Sequence, residues 1–169
     1  MKKGQAGIEY LAIYGVALLI IVIVIAVLLN MFGAFGQNTV CVGEPKTFQC
    51  ADNVFQVTDV NNDSYAEIGV KLYNGNLRGI KVYTATCYEG KEKPDRIRPT
   101  SYEPNGISIG AGDVKEISGV ECYNRDGSRL EYQPGKVFDG VFEFKYKYDN
   151  DLEGAPLRTG RLYITTRMD

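Results

Sequence analysis

The residues able to do chemistry in this chain are few, and they exclude more than they offer. No histidine occurs in the 169 residues. That removes Ser-His-Asp and Cys-His nucleophile arrangements and every His-containing metal site. Four cysteines, at 41, 50, 87 and 122, all follow a long apolar run, and none is spaced as C-x-x-C. An even number without metal or redox spacing predicts two disulfides in an exported part. Three connectivities are open. The favoured one joins Cys41 to Cys50, closing a short loop, and Cys87 to Cys122, tying two strand regions together. No nucleophile sits with a base, so neither an enzyme nor a cofactor is expected.

Two acidic turns offer oxygen ligands. Asp59, Asn61 and Asp63 alternate like the start of a calcium loop, with Glu67 beyond. Ser64 stands where such a loop turns on Gly, however, and Val70 where it ends on Glu. A plain polar turn between two strands accounts for these residues, so no metal is assigned. Asp149, Asp151 and Glu153 form a similar turn. Asn62-Asp63-Ser64 is an N-x-S sequon, which makes Asn62 a glycosylation candidate on an exported head. The aromatic residues of Phe138–Tyr148 are expected in the core rather than on a binding face.

One carboxylate, Glu9, stands at the mouth of the run from Tyr10 to Leu29, and no further charged residue occurs before Glu44. An acidic group at the centre of a membrane helix costs about 2.5–3.5 kcal/mol. Near the end it costs less but still seeks a partner. Lys2 and Lys3 precede it, in the sense of the positive-inside rule.

The elements that must position these residues are of two kinds. Ile8 to Phe35 contains no proline and predicts one continuous helix of about 42 Å. A bilayer core of about 30 Å would leave some turns projecting. Its many Ile and Val residues favour strand in water, but in lipid a lone strand leaves its backbone unsatisfied, so helix wins. From Cys41 onward short alternating runs separated by turn residues predict six to eight strands: Val54–Thr58, Ala66–Tyr73, Ile80–Cys87, Val114–Val120, weakly Arg129–Gln133, Val137–Tyr148 and Gly160–Thr166. Lys91–Gly106, with three prolines and many charges, reads as an exposed loop. The expected class is α+β, a long N-terminal apolar helix followed by an antiparallel, Ig-like β-sandwich. The segments are 1–4 (leader), 5–37 (membrane and assembly helix) and 38–169 (extracellular head). With 19 basic against 21 acidic residues the net charge is −2, which gives nucleic acid no electrostatic support.

The order Lys2-Lys3-Gly4-Gln5-Ala6-Gly7-Ile8-Glu9-Tyr10 resembles the class III signal peptide of archaeal type IV pilin-like proteins. A short basic leader, a Gly-Gln junction, a Glu-Tyr pair and the apolar run coincide in that order. Gly7 departs mildly from the Ser or Ala usual there. The resemblance implies processing at Gly4-Gln5 by a prepilin peptidase. It implies membrane residence as a single-pass protein before assembly, then a homo-oligomeric helical filament at the cell surface, in which Glu9 and Tyr10 serve assembly. Adhesion would lie in exposed head loops, 91–106 foremost. A cut before the run retains the helix, unlike an ordinary secretory signal. Glu9 then lies about one turn from a new α-amino group and can pair with it. The alternatives are a single-pass anchored Ig-like binding domain that does not polymerise, and ordinary cleavage after Ala34-Phe35-Gly36.

Overall fold

A computed structural model describes residues 14–28, 39–59, 61–152 and 154–168, with the backbone alone given for 52–55. The chain divides into two compact units, Met1–Asn38 and Thr39–Asp169, each described by itself below. In the first, helix α1 covers residues 14–28, all of them exposed. No helix among the described residues is long and apolar enough to cross a membrane. Only the middle of the expected Ile8–Phe35 helix is thus in view, and its two ends lie outside the described residues.

The second unit contains β1 (Val40–Glu44), β2 (Phe48–Thr58), β3 (Glu67–Asn74), β4 (Ile80–Glu89), β5 (Thr100–Ser101), β6 (Ile107–Ile109), β7 (Val114–Tyr123), β8 (Val137–Tyr148) and β9 (Arg158–Arg167). The protein is α+β, a helix followed by a mostly antiparallel sheet. The strands pair in the order β1-β9-β8-β4-β7-β3-β2, with β5 and β6 on β4 off that path. An Ig-like sandwich calls for two separate stacked sheets; the pairing is instead continuous and curls almost to closure. β9 takes β1 as neighbour over Arg161–Thr165, and Met168 just beyond it bridges Val57 of β2 in parallel.

Alternation explains the strands. On β8, Phe138, Phe142, Phe144 and Tyr146 are buried in the main core, joined by Ile68, Val70 and Leu72 of β3 and by Ile80 and Val82 of β4. Phe48 meets Phe144 and Tyr146 edge-on, with ring centroids 5.0 Å apart in both pairs. Each such aromatic contributes about 1.5–3 kcal/mol by burial alone. The core has no vacancy beside β8: a Cβ on Gly140 would lie 2.3 Å from the Tyr88 carbonyl oxygen and 2.5 Å from the Phe138 ring.

β4 is the axis of the head. One of its edges pairs β8 from Ile80 to Glu89. The other is shared in succession by β6, β5 and β7. The β7 contact is the head's one strand-to-strand parallel ladder among the described residues, and it covers only Cys87↔Cys122 and Tyr88↔Tyr123.

Several strands differ from expectation. β1 is an additional strand, and β2 begins at Phe48 rather than Val54 because the Cys41–Cys50 region is itself paired. Arg129–Gln133 is not a strand. It makes isolated bridges, Tyr123↔Arg129 and Tyr65↔Glu131, around a buried Leu130. The 91–106 segment contributes β5, because backbone groups on the free edge of β4 need partners.

Candidate functional site

Gly4, Gln5, Glu9 and Tyr10, the residues expected to carry processing and assembly, lie outside the described residues. The remaining candidates are all in the head.

The cysteines form Cys41–Cys50 and Cys87–Cys122, with Cα atoms 6.1 and 4.4 Å apart, and no cysteine is free. Each bond sits where the curled sheet is weakest. Cys87–Cys122 joins β4 to β7 at their two-residue ladder, and both cysteines are fully buried. Cys41–Cys50 joins β1 to β2, the two ends of the strand order, across the gap in hydrogen bonding. Gly43 of β1 lies so close to Phe48 that a Cβ there would strike the Phe48 carbonyl.

The 59–65 turn is organised by its own acids. The Asp59 carboxylate accepts the amides of Asp63 and Ser64, both at 3.0 Å, and Asp63 accepts the Tyr65 amide at 3.0 Å. Asp63 also pairs with Arg129 at 2.9 Å, and the Asn61 amide donates to Glu67. Arg129 lies 4.1 Å from the Tyr65 ring centroid and reaches Glu121 at 3.2 Å. These oxygens hold a turn together, and among the described residues no group of three acids or cysteines is placed to hold a metal. Asn62 stands exposed at the tip, with φ 53°. The Asp149–Asp151 turn is similar: Asp151 accepts the Tyr148 amide at 3.1 Å and pairs with Arg158.

The 91–98 segment is a strap over the outer face of the sheet rather than a free loop. Pro94 is buried, and Ile97 packs with Tyr163 on the small cluster of Tyr88, Tyr123 and Val141. Glu143, which points outward from β8 beside that cluster, is only 4% exposed. It accepts Lys93 of the strap at 2.6 Å and Arg161 of β9 at 3.0 Å. Burial works against its ionisation, but the hydrogen bonds and charges of Lys93 and Arg161 outweigh it, and its carboxyl is held below the ordinary range. Burial and the neighbouring Glu143 push the Tyr88 hydroxyl up to about 12. Tyr102, on the loop after β5, has a buried hydroxyl without a hydrogen-bond partner, and burial pushes it up to about 12 as well. An open cleft of ≈ 620 Å³ lies beside the strap, lined by Lys91, Lys93, Asp95, Arg125 and Asp139 among others. Its mixed charges define no ligand. The Lys93–Glu143–Arg161 group was missed in the sequence. Its only signal there was an acid at an outward position of β8 between two phenylalanines.

At the opposite strand ends, fully buried Asn74 joins two turns. Its amide donates to the carbonyls of Arg78 and Gly110, both at 2.9 Å, and its carbonyl oxygen accepts the Asn76 amide at 3.2 Å. Arg78 and Arg158 both lie over the Tyr148 ring, at 5.8 and 4.7 Å. The loops there carry Leu77 and Leu152, 99% and 85% exposed.

No family model matches the chain, and no curated protein or solved structure matches it either.

Proposed function

We propose that the chain is the structural subunit of an archaeal type IV pilus-like surface filament, cut by a prepilin peptidase at Gly4-Gln5 and assembled through its N-terminal helix. The observation that carries this is an order in the sequence: a Gly-Gln junction, then Glu9-Tyr10, then an uncharged apolar run. Support also comes from the head. A disulfide-bonded β-domain after an apolar helix suits a part displayed outside the cell, where disulfides persist. In this proposal the two curved halves of the head, β1-β9-β8-β4 and β7-β3-β2, play the part of an Ig-like sandwich over a common core. Assembly exchanges lipid contacts of the apolar helix for contacts with other copies. Glu9, needing a partner in an apolar setting, pairs with the new α-amino group of its own or a neighbouring subunit.

The mature N-terminus and the sheared surface fraction test this together. A start at Gln5 with the protein in filaments is the expected result. A start at Gln37 would overturn it. An intact Met1 with no filaments would favour an anchored, non-polymerising binding domain.

A further inference from the structure

The outer face of β4, β8 and β9 is divided in two. Toward Gly90 and Asp139 the strap covers it. Toward the other strand ends its side chains are exposed or half-exposed. Phe144 and Tyr146 face the core, so Lys145 and Lys147 face outward. Ile80 and Val82 are buried, so Lys81 between them faces outward too. The register sets Lys81 directly opposite Lys147 on one side and opposite Ser108 on the other. Lys145 stands between Thr84 and Thr159. The Lys147 ammonium lies 5.9 Å from the centroid of the half-buried Tyr83 ring.

Like charges placed directly opposite on paired strands weaken a sheet, so folding gives no reason for Lys81 against Lys147. The ion pairs among the described residues use Lys93, Arg129, Arg158 and Arg161, and none uses Lys81, Lys145 or Lys147. Higher on the same face Glu143 is neutralised from both sides. The charge below it is left for something else to neutralise.

We propose that this face docks an acidic polysaccharide, with Lys81, Lys145 and Lys147 meeting its carboxylates or sulfates and Tyr83 flanking a sugar ring. The face is an open stretch of sheet, which suits an extended polymer better than a small enclosed anion. Its lysines are rooted about 7 Å apart along β8 and about 5 Å apart across to β4. Hydroxyls of Ser108, Thr84 and Thr159 lie among them for sugar hydroxyls. The exposed large apolar residues of the head are not on these positions, so a protein interface would lack the apolar centre such interfaces have. Docking needs the head exported, as the disulfides favour, but does not need it polymerised.

The test uses the full chain, disulfides intact, in neutral detergent, with chondroitin sulfate as probe and uncharged dextran of similar size as control. Binding to chondroitin sulfate that weakens as salt rises, and none to dextran, is expected. The variant Lys81→Gln/Lys145→Gln/Lys147→Gln weakens binding about tenfold or more while its melting temperature is kept or raised. Lys46→Gln/Lys115→Gln/Lys136→Gln, with the same change of charge at exposed sites elsewhere, keeps parental affinity. The proposal is overturned if the parent does not bind, if the first variant binds like the parent, or if both variants weaken equally. It is also overturned if phosphatidylglycerol vesicles or a single-stranded oligonucleotide displace the polysaccharide at equal charge. Filaments are scored separately by microscopy, so loss of binding with filaments intact counts against this site alone.

Discussion

Removing each disulfide in turn measures how the curled sheet is held shut. The bonds close loops of different length, with sequence separations of 35 for Cys87–Cys122 and 9 for Cys41–Cys50. The chain-entropy relation gives about 3.8 kcal/mol for the longer loop and about 2.6 kcal/mol for the shorter. Two structural facts widen that gap. Cys87 and Cys122 are fully buried, so alanines there leave space in the core, whereas Cys41 and Cys50 are only half-buried. The β4–β7 ladder that the longer bond spans has just two residue pairs to hold it otherwise. For a head of roughly 130 residues, 1 kcal/mol corresponds to about 4 °C in melting temperature. Cys87→Ala/Cys122→Ala should therefore melt about 15 °C or more below the parent, and Cys41→Ala/Cys50→Ala about 10 °C below. The assay is circular-dichroism melting and urea titration of the three proteins in one neutral detergent, with the remaining bond confirmed by non-reducing peptide mapping. Only if the urea slope is unchanged do midpoint shifts report stability. An equal or larger loss from the Cys41–Cys50 pair would refute the reasoning, and would make the β1–β2 gap the governing weakness.

Other substitutions probe single contacts. Lys81→Thr relieves the like-charge pair with Lys147 and puts a β-branched residue on β4, so it should gain about 0.2–1 kcal/mol in urea titration; a loss of that size counts against the like-charge reading. Gly140→Ala should lose about 1–3 kcal/mol, because its Cβ would strike the Tyr88 carbonyl and the Phe138 ring. Gly69→Ala, whose Cβ would meet Ser118 at an ordinary 3.7 Å, should stay within about 0.5 kcal/mol. Glu143 gives a pH signature. Its folded carboxyl titrates below the ordinary 4.5, so its contribution is present above that value and is lost as pH falls through the lower folded one. The midpoint difference between the parent and Glu143→Gln should accordingly be largest above about pH 5 and shrink on acidification; a difference that grows in acid would contradict the Lys93 and Arg161 pairing.

What could be read in the sequence was local. Period-two alternation placed Phe142, Phe144 and Tyr146 on one face of β8, and the cysteine count predicted two disulfides, with the observed pairing favoured among three open connectivities. The closure was not legible, for a physical reason. Cys87 lies opposite Cys122 only because β6 and β5 occupy the earlier part of the β4 edge and leave its last residues to β7. That is a fact about competition for one strand edge, and no window of sequence contains it. The strap was missed for a related reason. Pro94 and the charges in 91–98 do read as loop, and loop it is. Its burial depends on Ile97 finding Tyr88 and Val141, and on Lys93 finding Glu143 fifty residues away. The same argument bears on the lysine face. Alternation in Phe144-Lys145-Tyr146-Lys147 shows that two lysines share a side, but the third comes from β4, where Lys81 pairs with Lys147 just before the bulge between Val82 and Thr84. Had that bulge been absent, the β4–β8 register beyond it would shift by one residue and every outward side chain there would exchange faces. The bulge therefore sets which β4 residues above it share a face with the lysines, and Tyr83, which sits in it, is the residue that contacts Lys147.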